Sequence, residues 1–100
     1  LLTKQVVTVV DAQIDPARES EFLDGYQALI AGDQPNGLIR SELLRGQDGA
    51  WRIHTTWQDL ESLKALRKEG KPHAALALLD SVGAEHTHGW FVIETSLAAQ

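Results

Sequence analysis

The chain of 100 residues contains no cysteine and no methionine. Without cysteine it cannot form a disulfide, a thiolate metal site or a cysteine nucleophile. No apolar run approaches the roughly 20 residues of a membrane span, so we expect no membrane partner. Nine Lys and Arg against fourteen Asp and Glu leave a net charge of −5. Because no basic cluster offsets that charge, we expect no nucleic-acid partner. The first residues are unlike a signal peptide, and we expect a cytoplasmic protein.

The composition is that of one folded domain. Hydrophobic residues make up 43% of the chain, and charges of both signs are present. This balance argues against disorder. The length predicts a single domain that covers residues 1–100.

The segment 50–66 carries the clearest pattern in the chain. Large side chains alternate over residues 51–57, which is the period of a β-strand that ends at Trp57. Asp59 is a good N-cap, and leucines follow it at helical spacing. Trp57 is therefore predicted to lie where the sheet meets a helix. That position suits the wall of a pocket, and it equally suits a core side chain.

Periodicity and turn residues divide the whole chain into alternating strands and helices. The predicted strands cover 4–14, 38–45, 51–57 and 85–95. The predicted helices cover 15–32, 60–70 and 72–82, with a break at Lys71 and Pro72. The order βαββαβ is that of a ferredoxin-like fold in the α+β class. We therefore predict a four-stranded antiparallel sheet with strand order 4-1-3-2.

Helices are predicted to cover only one of the two faces of this sheet. Right-handed crossovers place the helices on one face. The first strand nevertheless has Val6, Val7, Val9 and Val10, which put apolar side chains on both faces. The last strand also looks covered on both faces. A bare apolar sheet face does not persist in a soluble monomer, so we predict a homodimer with its sheets packed face to face.

Several segments resemble the antibiotic biosynthesis monooxygenase family, whose members form a dimeric α+β barrel. They are QVVTVVDAQIDPARESEF, PNGLIRSELLR, WRIHTTWQDLESLKAL, KPHAALALLDSV and HGWFVIET, which together cover most of the chain. The strongest marker is the strand-ending Trp57 with the polar capping residues after it. His73, after the break, is a weaker marker.

The resemblance implies a monooxygenase that needs no metal or other cofactor and acts on quinol-like or anthrone-like aromatic molecules. In such chemistry the deprotonated substrate supplies electrons to O₂, and the protein binds it, removes a proton and excludes water. We predict His73 and Trp57 as catalytic residues. The predicted substrate-binding residues are Trp57, Tyr26, His88 and Trp90.

The chain departs from the family at two polar positions. Oxygenases of the family that make polyketide quinones have an Asn four residues before the Trp and a Tyr six residues after it. Here Ile53 and Leu63 stand at those positions. A non-catalytic dimeric module that binds small molecules is therefore an alternative. A haem-binding or haem-degrading relative is another, although His73 lies about one turn before the expected axial ligand.

The remaining histidines have competing interpretations. His54 lies on the strand face opposite Trp57, where it meets a dimer interior or a polar seam. His86 and His88 share one strand face and could bind a metal, but a polar strand start at a pocket mouth explains them as well. His73 itself could be an exposed residue of a first helical turn.

Overall fold

The computed structural model describes residues 4–68 and 74–98. The strands are β1 (Val6–Gln13), β2 (Leu38–Arg45), β3 (Ala50–Trp57) and β4 (Glu85–Val92). The helices are α1 (Glu19–Ala31), α2 (Leu60–Lys68) and α3 (Ala74–Ser81), and a 3₁₀ turn at Pro16–Arg18 precedes α1. The predicted order βαββαβ is confirmed. The predicted break at Lys71 and Pro72 lies outside the described residues.

The four strands form one antiparallel sheet with the order β2-β3-β1-β4. This is the predicted order. Val6 is paired with Trp57 on one side and with Val92 on the other. Residues at positions paired in this way point to the same face, so the register decides which side chains meet the helices.

Local chemistry explains where α1 begins and ends. The Asp15 carboxylate accepts a hydrogen bond of 2.9 Å from the backbone N–H of Ala17, and Pro16 opens the turn. Pro suits the first helical position because its missing N–H would have no partner there. Gly32 is the C-cap, and its backbone is extended rather than left-handed.

The core lies between the helical layer and one face of the sheet. Its larger cluster packs α1 and α3 on β1 and β3 and centres on Phe22 and Leu79, both 0% exposed. Its smaller cluster joins Val6, Trp57 and Leu63 where β3 leads into α2. Both clusters use the same sheet face, so the prediction of helices on one face is confirmed.

Gly25 allows two helices to approach closely. A Cβ at this position would collide with Cδ1 of Leu78 in α3. Gly25 thus allows α1 to approach α3. The closeness of α1 and α3 holds the helical layer together above the sheet.

Charged side chains occupy much of the other sheet face, which we call the open face. Arg52 and Asp11 on β3 and β1 form an ion pair with 2.7 Å between Nε and Oδ1. Glu42 on β2 lies 3.4 Å from Arg40 and 3.6 Å from Nδ1 of His54. The open face is therefore less apolar than the strand sequences predicted.

Three consecutive apolar side chains of β4 are exposed at the surface. Phe91 is 62% exposed on the open face, and its neighbours Trp90 and Val92 are each 42% exposed. Trp90 and Val92 point to the face that carries the helices, so the helical layer covers that face of the last strand only in part. Cover of the open face depends on the predicted second copy and stays a prediction. None of the described helices is long and apolar enough to cross a membrane.

Candidate functional site

A cavity of about 500 Å³ lies between the sheet and the helical layer. Its floor comes from β2 and β3, its sides come from α1, α2 and the start of α3, and the loop 33–36 contributes its rim. Cavities of this size are typical of binding sites for small molecules, whose range is roughly 300–1,000 Å³. The lining is largely apolar and includes Ile53, Leu66 and Ala75.

Trp57 lies at one wall of the cavity and also belongs to the core. Its side chain is 2% exposed and packs against Val6 and Leu63. The indole Nε1 donates a hydrogen bond of 3.1 Å to Oγ1 of Thr8. Because its N–H is already engaged, Trp57 offers a ligand ring surface rather than a hydrogen bond.

A chain of three hydroxyl groups forms the main polar element of the cavity floor. Tyr26 Oη lies 3.0 Å from Ser41 Oγ, and Ser41 Oγ lies 3.0 Å from Thr55 Oγ1. Each group comes from a different element, namely α1, β2 and β3. All three residues line the cavity, and Tyr26 and Thr55 are 7% and 5% exposed. These hydroxyls can give or receive a proton in a hydrogen bond to a ligand oxygen.

The start of α2 supports the cavity wall through Asp59 and Ser62. The Asp59 carboxylate accepts hydrogen bonds of 2.8 Å from the Ser62 hydroxyl and from the Ser62 backbone N–H. Those two bonds lower the pKa of Asp59 below its ordinary value of 3.8, the hydroxyl contributing most. Ser62 lines the cavity, so the helix cap is built into the site.

Gly37 lets the loop before β2 sit close to α2. Its φ of +88° lies in the left-handed region, and a Cβ there would collide with the Ser62 side chain. Its carbonyl accepts a hydrogen bond of 2.8 Å from the Gln58 backbone N–H. The loop that carries Asp33 and Asn36 is thereby anchored at the cavity rim.

The structure brings two of the predicted site residues together. Trp57 and Tyr26 both line the cavity. His88 and Trp90 lie on β4, and neither belongs to the described lining. His73 lies outside the described residues, but the next residue along the chain, Ala74, lines the cavity. The hypothesis of haem ligation depends on His73, so it also concerns a residue outside the described part of the chain.

Two other histidines are paired with carboxylates away from the cavity. His54 points to the open face toward Glu42, as the alternation with Trp57 predicts. His86 Nε2 lies 2.8 Å from Oδ1 of Asp80 at the end of α3. Across residues 4–68 and 74–98, no group of three or more His, Cys, Asp or Glu is placed to hold a metal ion.

Sequence reasoning did not identify Ser41 and Thr55 as site residues. The alternation in β3 did put Thr55 on the same face as Trp57, so one signal for it was present. Ser41 had none, because its meeting with Tyr26 depends on the β2–β3 register and on how α1 crosses the sheet. A register bulge between Leu38 and Arg40 sets which β2 residues face the cavity.

The fold and the cavity define an α+β domain of ferredoxin-like topology with a small-molecule-sized site between its layers. The sequence profile of the antibiotic biosynthesis monooxygenase family matches residues 5–78. The chain belongs to that family. Among curated proteins, no significant match was found.

Solved structures share the fold. SnoaB, a cofactor-independent oxygenase from Streptomyces nogalater, has 20% identity and a TM-score of 0.67, with 97% of this chain and 100% of SnoaB covered. A candidate antibiotic biosynthesis monooxygenase from Caulobacter crescentus has 16% identity, a TM-score of 0.68 and 90% coverage of both chains. A conserved protein from Methanosarcina mazei has 14% identity and a TM-score of 0.69, with 89% and 92% covered. These likenesses concern the fold.

Proposed function

We propose that the protein is a cofactor-independent monooxygenase that oxidises quinol-like or anthrone-like aromatic molecules in the cavity beside Trp57. The observation that carries the proposal is the cavity of about 500 Å³, with an aromatic wall and a hydroxyl-lined floor, in a chain of this family. A flat aromatic molecule suits both features, because its rings can pack on the indole while one oxygen meets the hydroxyls.

The proposed reaction needs little from the protein beyond binding and proton transfer. An anthrone-like CH₂ group loses a proton, and the resulting carbanion, stabilised as a phenolate, transfers electrons to O₂. One oxygen atom then becomes the new carbonyl, and the other leaves as water with the two hydrogens of the CH₂ group. The substrate itself is oxidised, so the four electrons that O₂ requires are accounted for.

In this proposal each predicted residue has a separate role. Trp57 packs on the substrate rings, and Tyr26 forms a hydrogen bond to a substrate oxygen. His73 removes the proton, since imidazole titrates near neutral pH. His88 and Trp90 lie on β4, outside the described lining, so in this proposal they contact a part of the substrate that extends beyond the cavity. His73→Ala is expected to abolish turnover and leave the Kd for a non-reactive analogue within about threefold, because the base takes part in catalysis rather than in binding.

Oxygen uptake by anthrone or by a reduced naphthoquinone tests the proposal. Ala65 lines the cavity on α2, whereas the exposed Ala28 on α1 does not. Ala65→Phe should fill the cavity and reduce kcat/KM at least about tenfold, and Ala28→Phe is the matched control. Uptake no faster than in buffer, or equal activity in the two variants, would contradict the proposal.

A non-catalytic binding module is the second candidate. It is favoured by Ile53 and Leu63, which are apolar where family oxygenases have Asn and Tyr and are 3% and 2% exposed. Neither side chain can bind a phenolate or move a proton. Thermal stabilisation by flat aromatic molecules without any oxygen uptake would support binding alone.

We also propose that residues 1–100 form one domain that pairs with a second copy through the open face. The exposed ring of Phe91, which lies on the open face, supports this assembly. The charged groups of Arg52 and Asp11 lie on the same face, where they would help to set the register between two sheets.

A further inference from the structure

The three hydroxyl groups at the cavity floor hold one proton more than their mutual hydrogen bonds require. Tyr26, Ser41 and Thr55 each have one O–H donor, and they make two contacts of 3.0 Å. Either oxygen can be the donor in each contact. Whichever oxygens donate, one of the three O–H groups is therefore available to another acceptor.

The direction of the chain decides what Tyr26 can do. When Thr55 donates to Ser41 and Ser41 donates to Tyr26, the Tyr26 hydroxyl is available to donate to a ligand oxygen. When the chain runs the other way, Tyr26 donates to Ser41 and its oxygen accepts from a ligand hydroxyl. Only hydroxyl protons turn between the two directions, so no heavy atom has to move.

We propose that this hydroxyl chain holds one ligand oxygen in both its hydroxyl and its carbonyl form, with Ser41 as a positioning residue that acts through Tyr26. The inference rests on the proposed use of the cavity for quinol-like or anthrone-like molecules. An oxygen of such a molecule is a hydroxyl before proton loss and a carbonyl after oxidation. The same group on the protein then serves substrate and product.

Loss of the Ser41 hydroxyl should affect the two ligand forms unequally. When a hydroxyl ligand donates to Tyr26, the Tyr26 proton goes to Ser41, so in Ser41→Ala either that proton or the ligand's own is left without an acceptor. With a carbonyl ligand, Tyr26 still donates to the ligand, and the O–H that loses its acceptor is that of Thr55, which has lost it in the unliganded variant as well. An unsatisfied buried donor is the costlier defect, because an oxygen can leave one of its acceptor positions unfilled.

Calorimetric binding of 1-naphthol and of 1-tetralone, under nitrogen, measures this asymmetry. The two probes have the same carbon count and differ in presenting a hydroxyl or a carbonyl. Ser41→Ala is expected to weaken 1-naphthol binding about tenfold and 1-tetralone binding no more than about twofold. Ser41→Thr retains a hydroxyl and should restore the wild-type ratio of the two affinities.

Two further variants test the specificity of the effect. Ser81→Ala removes a hydroxyl that donates to the Leu78 carbonyl outside the cavity lining, and it should change neither affinity. Tyr26→Phe removes the ligand contact itself and should weaken both probes. The melting temperature of each variant identifies any that fails to fold.

The outcomes separate this inference from the proposed function. Equal losses for both probes in Ser41→Ala, or no loss, would overturn the role of the hydroxyl chain, and so would a wild-type protein that binds neither probe. An unequal loss without oxygen uptake by anthrone would support the chain and remove the oxygenase. Oxygen uptake with equal losses would support the oxygenase alone.

Discussion

The position of the Trp57 side chain depends on a single hydrogen-bond partner, Thr8. The indole of Trp57 is fixed by its hydrogen bond to Thr8, and both side chains are buried, 2% and 8% exposed. Thr8 lies opposite Thr55 in the β1–β3 register, so the same pair of strands positions the cavity wall and one end of the hydroxyl chain. The rings of Phe22 and Trp51 meet edge to face at 5.5 Å in the core beyond.

Replacing Thr8 with Val should destabilise the protein. The variant keeps the shape of the side chain and removes the acceptor for Trp57 Nε1, which leaves a buried N–H without a partner. We expect the free energy of unfolding to fall by about 1–3 kcal/mol. Urea denaturation followed by tryptophan fluorescence measures this change.

Thr56 offers the matched control for that substitution. It is 0% exposed, and its Oγ1 has no hydrogen-bond partner among the described residues. Thr56→Val removes a polar group that is already unsatisfied, so the expected change is neutral or stabilising. A larger loss of stability in Thr56→Val than in Thr8→Val would refute this account of the two hydroxyls.

The transition from β3 to α2 takes only two residues, Gln58 and Asp59. Asp59 makes so short a connection possible because its carboxylate satisfies one of the free N–H groups of the first helical turn, that of Ser62, and holds the Ser62 side chain. Arg67 and Lys68 lie in the last turn, where positive charge complements the negative end of the helix. Both ends of α2 are thus stabilised by local electrostatics.

The Asp59 cap should make the stability of the protein depend on pH. The folded pKa is lowered from 3.8, so the carboxylate contributes stability above that pH and loses it as pH falls through the folded value. Asp59→Ala should lower the melting temperature at about pH 7, and the difference from wild type should shrink at about pH 3.

Thermal melts monitored by circular dichroism measure the effect of the cap. Asp24→Ala changes an exposed carboxylate in the middle of α1 and is the control. A melting-temperature difference for Asp59→Ala that is the same at both pH values would show that the carboxylate charge does not stabilise the cap.

The molecule as a whole has one covered and one uncovered sheet face. The helical layer covers the face that carries Trp57, and the open face carries ion pairs together with the exposed ring of Phe91. Removing Phe91 from water in a dimer would contribute on the order of a few kcal/mol per copy. The described lining of the cavity lies between the sheet and the helices, so a dimer through the open face would cover the opposite side of the sheet.

Phe91→Asp should prevent the proposed dimer from forming. A carboxylate between two packed sheets would lose its hydration without gaining a partner. Sedimentation velocity at micromolar concentration should show a dimer for wild type and an 11.0 kDa monomer for the variant. Ile30→Asp, which changes an apolar side chain of α1 that is 51% exposed, is the control and should remain dimeric.

A monomeric wild type would remove the argument for dimerisation through the open face. The cavity and its hydroxyl chain would still stand, because the described lining comes from one chain. If the wild type and Phe91→Asp both form dimers, the interface lies on another surface.

The amino-acid sequence by itself determined the elements, their order and the orientation of β3. Hydrophobic periods of two and of three to four residues distinguish strand from helix, and right-handed crossovers restrict the topology of βαββαβ. That Trp57 and His54 point to opposite faces of the sheet follows from alternation alone. These features are local, so short stretches of sequence carry the information for them.

Only the tertiary structure decided which side chains share the cavity. Tyr26, Ser41 and Thr55 are 15 and 14 residues apart along the chain, and their two contacts of 3.0 Å depend on register and helix placement. Gly25 likewise meets Leu78 because of how two helices pack. Such contacts arise from packing over the whole core, and no period in the sequence encodes them.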